Sequence, residues 1–185
     1  NPVPLFYELN EVEDRIFNQT INLISKEFAY ARYTPMLYYK GDLSQLEVQS
    51  QRNMGKFMKI LLVKRLESSF LAFNNSIDRF INSYEMFISE FEKGNVYLSK
   101  DYTRKIFELL EKDDDQAIER LIVEGKAEKF ESKDFNDEFI AHLKRDHGIL
   151  RQIKELWIRI NRDPKLDTFL SQLSQNKILR ENKLI

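Results

Sequence analysis

From Gly41 to Gly94 the chain contains no proline, and apolar residues recur there at three- and four-residue steps. Met54, Met58, Leu61, Leu62, Leu66, Phe70, Phe73, Ile77, Phe80, Ile81, Tyr84, Phe87, Ile88 and Phe91 keep one side of a helix apolar. A helix from about Asp42 to Phe91 would be roughly 75 Å long at about 1.5 Å per residue, beyond the usual globular length. The spacing therefore predicts one very long helix with a break, at Gly55 or at Ser68-Ser69. Frequent Phe widens the stripe, which favours a buried helix over a sustained heptad coiled coil.

The rest of the chain supports the same class. Only 5 Gly and 4 Pro occur in 185 residues, too few for the many turns a strand-rich fold requires. Asn10 with Glu11, Glu13 and Asp14 predicts a helix start, and Ile16 or Phe17, Ile21, Ile24 and Phe28 carry its stripe to about Tyr30. Pro35 interrupts that pattern, and Gly94-Asn95 closes the long helix. An acidic helical region is expected from Asp101 to about Glu124, interrupted near Asp113-Asp114-Asp115, which reads as a solvated turn. Ser132 with Asp134 opens a further helix with Phe135, Phe139, Leu143, Leu150, Ile153, Trp157 and Ile160 inward. Asp163-Pro164, a cap followed by a favoured first-turn proline, starts the last, with Leu166, Phe169, Leu170 and Leu173 inward. Leu5–Leu9 and Lys183-Leu184-Ile185 read as short strands. The expected fold is mainly α: an elongated helical bundle with short strand remnants at the termini. It forms a single domain, residues 1–185, with sub-parts 1–94 and 95–185.

Charge and composition exclude several functions. The 29 Lys and Arg nearly balance 30 Asp and Glu, so only local distribution can point to nucleic acid. Absent cysteine removes disulfides and thiolate chemistry and fits a cytoplasmic setting. The longest apolar run, Ile60-Leu61-Leu62-Val63, is far short of a membrane span. Gly55-Lys56 lacks the remainder of a phosphate-binding loop. His142 and His147 lie five apart, where ligands on one helix face need three or four, and are expected at the surface or rim. No nucleophile with its base is present, so no catalytic residue, cofactor or metal is assigned to this segment.

One basic element stands out. Between Glu47 and Glu67 there is no acid, but there are Arg52, Lys56, Lys59, Lys64 and Arg65. Arg52, Lys56 and Lys59 at i, i+4 and i+7 share one helix face opposite Met54, Phe57, Met58 and Leu61. That is the form of a phosphate-contacting ridge, and equally of a solvated face.

The stretch Phe57-Met58-Lys59-Ile60-Leu61-Leu62-Val63-Lys64-Arg65-Leu66-Glu67-Ser68-Ser69, followed by a Phe-rich helix, resembles bacterial Swi/Snf-like superfamily-two DNA helicases. There it lies between the two RecA-like lobes. Leu5–Leu9 with the acid-rich helix after it resembles the exit from the first lobe. Asp163-Pro164-Lys165-Leu166-Asp167 and Asn182–Ile185 resemble the approach to the second. Residues 95–133 match no part of the pattern. The resemblance implies a helical inter-lobe segment of an ATP-driven helicase or translocase. Its implied partners are duplex DNA and the two lobes of the same polypeptide, with ATP and Mg held by those lobes. The missing initiator Met and the apolar ending lead us to expect a piece of a longer protein. A freestanding helical protein–protein interaction module is the alternative.

Overall fold

A computed structural model describes residues 5–99 and 127–175. The chain is mainly helical, with one two-stranded sheet among the described residues. The elements are α1 (Glu11–Asn22), a π turn (Leu23–Glu27) and two 3-10 turns (Ala31–Tyr33, Pro35–Tyr38). Then come α2 (Gln45–Ser68), α3 (Phe70–Glu92), β1 (Asn95–Ser99), β2 (Ala127–Glu131), a 3-10 turn (Ser132–Asp134), α4 (Asp137–Trp157) and α5 (Pro164–Gln175). The expected acidic helix at 101–124, its Asp113–Asp115 turn and the strand at 183–185 lie outside the described residues.

The described residues form two compact units, each discontinuous in sequence. One holds residues 5–28, 59–81 and 148–175; the other holds 29–58, 82–99 and 127–147. Helices α2, α3 and α4 each supply residues to both.

In the first unit α1 starts as its sequence requires. Asn10 Oδ1 accepts from the backbone N–H groups of Val12 (3.0 Å) and Glu13 (2.9 Å), and Glu13 Oε2 accepts from Asn10 N–H at 2.9 Å. This is a complete capping box. The other Glu13 oxygen pairs with Arg162 Nε at 3.0 Å, so the buried carboxylate has donors on both oxygens. The inward stripe is Ile16, Thr20, Leu23 and Ile24 rather than one through Ile21. Thr20 fits there because its hydroxyl donates to Ile16 O at 2.8 Å and accepts from Trp157 Nε1 at 2.8 Å. Phe70 and Phe73 pack edge-on against the same indole.

The predicted long helix breaks at Ser69, not at Gly55. Asp163 is the cause. Its Oδ2 accepts from Phe70 N–H and from Ser69 Oγ, both at 2.9 Å, which draws the Phe70 N–H away from an intrahelical partner. Ser69 Oγ also accepts from Ala72 N–H at 3.3 Å, as an N-cap of α3. Asp163 Oδ1 caps α5 through Leu166 N–H at 3.2 Å. One carboxylate thus starts two helices.

Two expectations in this unit are corrected. Leu5–Leu9 is not a strand: no described segment pairs with it, and Leu5 and Phe6 are exposed. An isolated strand has no ladder to satisfy its backbone. Three of the four α5 residues expected inward are exposed instead. Leu166 is 50% exposed, Phe169 39% and Leu170 53%, whereas Pro164 is buried and Thr168, Gln172 and Leu173 are half-buried.

The second unit has an aromatic centre. Tyr38 stacks on Phe139, and Phe87, Phe91 and Phe135 surround the same ring. Its aromatic residues serve packing. Gly55 lies inside α2, where an added Cβ would sit 3.1 Å from Thr34 Cγ2; the glycine permits close approach, not a break. Gly94, at φ +90°, ends α3 and leads into β1. Strands β1 and β2 pair antiparallel with Asn95 opposite Glu131 and Val96 opposite Phe130. The sequence reading contained no strand there. Ser132–Asp134 forms a 3-10 turn instead of the start of α4, because Tyr38 O and Asp134 O are taken by Asn136 and Lys40 N–H groups.

Candidate nucleic-acid interface

All five basic residues singled out in the sequence lie on α2. The structure separates them by environment. Arg52 and Lys56, in the second unit, are exposed, as is Lys64 in the first. Arg52 and Lys56, at i and i+4, keep the ridge read from the sequence. Lys59 leaves that ridge. It is half-buried, and its Nζ donates to Ser25 O at 2.7 Å. The reason is local. Ser25 lies in the π turn, whose altered pairing runs Phe28 N–H to Leu23 O at 3.0 Å. The turn ends the helix, and carbonyls of a last helical turn lack intrahelical donors. Arg65 is half-buried and engaged within the fold. The exposed cations are therefore Arg52, Lys56 and Lys64, with Lys59 recruited to hold the turn.

The two histidines occupy different settings. His142 Nδ1 lies 3.0 Å from Tyr38 Oη, and His147 Nε2 lies 3.0 Å from Glu85 Oε1. Among the described residues no group of three or more His, Asp or Glu side chains is placed to hold a metal, and no helix is long and apolar enough to cross a membrane.

The most developed polar cluster escaped the sequence reading. Asp146 is fully buried in the second unit. Its Oδ1 accepts from Ala29 N–H at 2.7 Å; its Oδ2 accepts from Ala31 N–H at 2.8 Å and Tyr84 Oη at 3.0 Å. Tyr30, between the two alanines, has φ +60°. That left-handed turn lets both flanking N–H groups face one anion, at a cost that buried contacts must offset. Burial pushes the Asp146 carboxyl above its ordinary value, against the lowering effect of its three donors. Burial likewise raises the Tyr84 phenol well above its usual range, with Asp146 adding to the effect. Tyr38 is pushed up to about 12 by burial, then by Asp146 and Glu138. Every Asp146 oxygen is committed to a donor from the fold, so the cluster organises the 29–34 segment. A signal was available: Asp146 falls within the α4 stripe between Leu143 and Leu150, at a position otherwise reserved for apolar residues.

No family model, no curated protein and no solved structure matches this chain.

Proposed function

We propose that the chain is the helical segment between the two RecA-like lobes of a cytoplasmic Swi/Snf-like superfamily-two DNA helicase or translocase. In this reading it connects and braces the lobes and contacts duplex DNA through α2, while ATP and Mg²⁺ belong to the lobes. The observation that carries the DNA half is the exposed Arg52–Lys56 pair on α2. The reading of Lys59 changes: it supports the π turn rather than a phosphate. The freestanding-module alternative draws support from the exposed Leu166, Phe169 and Leu170 of α5.

Phosphate contacts appear in the salt dependence of binding, with a slope of about −0.9 per contact on B-DNA. Arg52→Ala/Lys56→Ala should flatten the slope for duplex DNA by roughly two units. Lys59→Ala should leave the slope intact and lower stability instead. An unchanged slope in the double variant makes the pair part of a solvated face and removes DNA contact from the reading. Residues 1–185 alone should not hydrolyse ATP; DNA-stimulated turnover that survives repurification would overturn the assignment.

A further inference from the structure

The interruption between α2 and α3 is held from outside the two helices. The backbone ladder is intact on either side of it: Ser69 N–H donates to Arg65 O and Phe73 N–H to Ser69 O, both at 3.0 Å. Between them lie the N–H groups of Phe70, Leu71 and Ala72, which do not bond to the carbonyls four residues back. Phe70 N–H donates to Asp163 Oδ2 at 2.9 Å, and Ala72 N–H to Ser69 Oγ at 3.3 Å. Leu71, the second residue of α3, is 66% exposed, and no described residue accepts from its N–H. Glu67 O, the acceptor Leu71 would have in an unbroken helix, takes Lys165 Nζ instead, at 3.3 Å. The start of α5 thus occupies one donor and one acceptor of the missing turn. All these groups belong to the first unit.

Local sequence does not impose the interruption. No proline or glycine lies between Gly55 and Gly94, and serine is an ordinary helix residue rather than a breaker. Leu66, Phe70 and Phe73 are buried on the two sides of Ser69, at the i, i+4 and i+7 spacing that a continuous helix also keeps on one face. The segment therefore has two ways to satisfy its backbone. In one, Asp163, Ser69 Oγ and Lys165 supply the partners. In the other, Phe70, Leu71 and Ala72 donate to Leu66, Glu67 and Ser68. The first holds only while the start of α5 is docked, so that start acts as an internal ligand of the junction.

We infer that the α2–α3 junction is a two-state conformational switch: the docked start of α5 selects the interrupted form, and its withdrawal closes α2 and α3 into one helix through Ser69. In the proposed inter-lobe role α5 leads toward the second lobe, and the junction then senses movement of that lobe. That use rests on the proposed role. The switch itself does not, and its test needs neither DNA nor the lobes, so the two can fail separately.

The test is amide hydrogen exchange followed by NMR on the chain. Leu71 N–H is the reporter, because only the continuous helix gives it a partner. In the wild type Leu71 should exchange as an unprotected amide, while Ile77, inside α3, stays protected. In Asp163→Ala/Lys165→Ala, Leu71 should slow by about fivefold or more, which corresponds to about 80% of molecules in the continuous form, with Ile77 still protected. The carbon shifts of Ser69 should become helical in the same variant. A protected Leu71 in the wild type overturns the inference, as does a fast Leu71 in the folded double variant. Where the double variant does not fold, Ser69→Ala decides, since it deletes one hydroxyl and keeps Asp163 and Lys165. Leu71 should then slow by about twofold or more, and unchanged exchange overturns the switch.

Discussion

Asp146 and Asp163 perform the same elementary task, gathering backbone N–H groups from distant parts of the chain, in opposite surroundings. Asp163 is half-buried and starts α3 and α5. Asp146 is fully buried and shapes an irregular turn around Tyr30. At the first site water can replace a lost acceptor in part. At the second it cannot, so the same substitution has different consequences.

The largest effect is expected at the buried site. Asp146→Ala leaves two backbone N–H groups and the Tyr84 hydroxyl without their acceptor and should lower stability by about 4 kcal/mol in urea unfolding. A loss below about 1 kcal/mol would mean that water enters the site, and the contrast with Asp163 would vanish.

Asp163→Ala removes the cap of two helices, each worth about 1 kcal/mol, so about 2 kcal/mol should be lost. Asp163→Asn sharpens this. A single amide oxygen serves one helix, and roughly half the loss should remain. Equal losses for the two variants would show that only one of the two caps contributes.

Tyr84→Phe deletes one donor to Asp146 and keeps the ring, which packs edge-on to Tyr33. The expected loss is about 1–1.5 kcal/mol, and the Asp146 carboxyl should rise further. Proton linkage provides an independent check. The folded carboxyl lies above its ordinary 3.8, so between those two values the folded state holds more protons than the unfolded state. From this group stability must then fall as pH rises from 3.8 through the raised value, and level off above it. Unfolding of the wild type relative to Asp146→Asn across acidic pH should show that decline; a difference of opposite sign would place the folded carboxyl below 3.8.

The smallest expected effect is a gain. Gly148 lies inside α4, is exposed, and an added Cβ would meet nothing within 4 Å. Gly148→Ala should stabilise the chain by roughly 0.5–1 kcal/mol in the same urea assay. A loss would indicate that α4 needs the freedom of glycine at that position.

Local signals in the sequence determined what lies close along the chain. The capping box at Asn10, the proline-led start of α5, the Gly94 stop and the repeating Phe of α3 each depend on residues within a few positions, and each is where spacing places it. The break at Ser68-Ser69 was legible as one of two sites. Choosing between them required Asp163, which lies far along the chain and reaches the Phe70 N–H only through folding. The same distance hid Asp146 and Lys59. A lone Asp in an apolar stripe and a Lys on a basic ridge carry no local sign of the carbonyls and N–H groups they will meet. Helix α5 shows the limit most directly. Periodicity establishes that one side is apolar, but which residues turn inward depends on the surfaces available elsewhere, and here Leu173 is half-buried while Leu166, Phe169 and Leu170 stay exposed. Spacing sets the pattern of a helix because the backbone repeat is local; orientation is set by long-range contacts, because only those distinguish one side of the helix from the other.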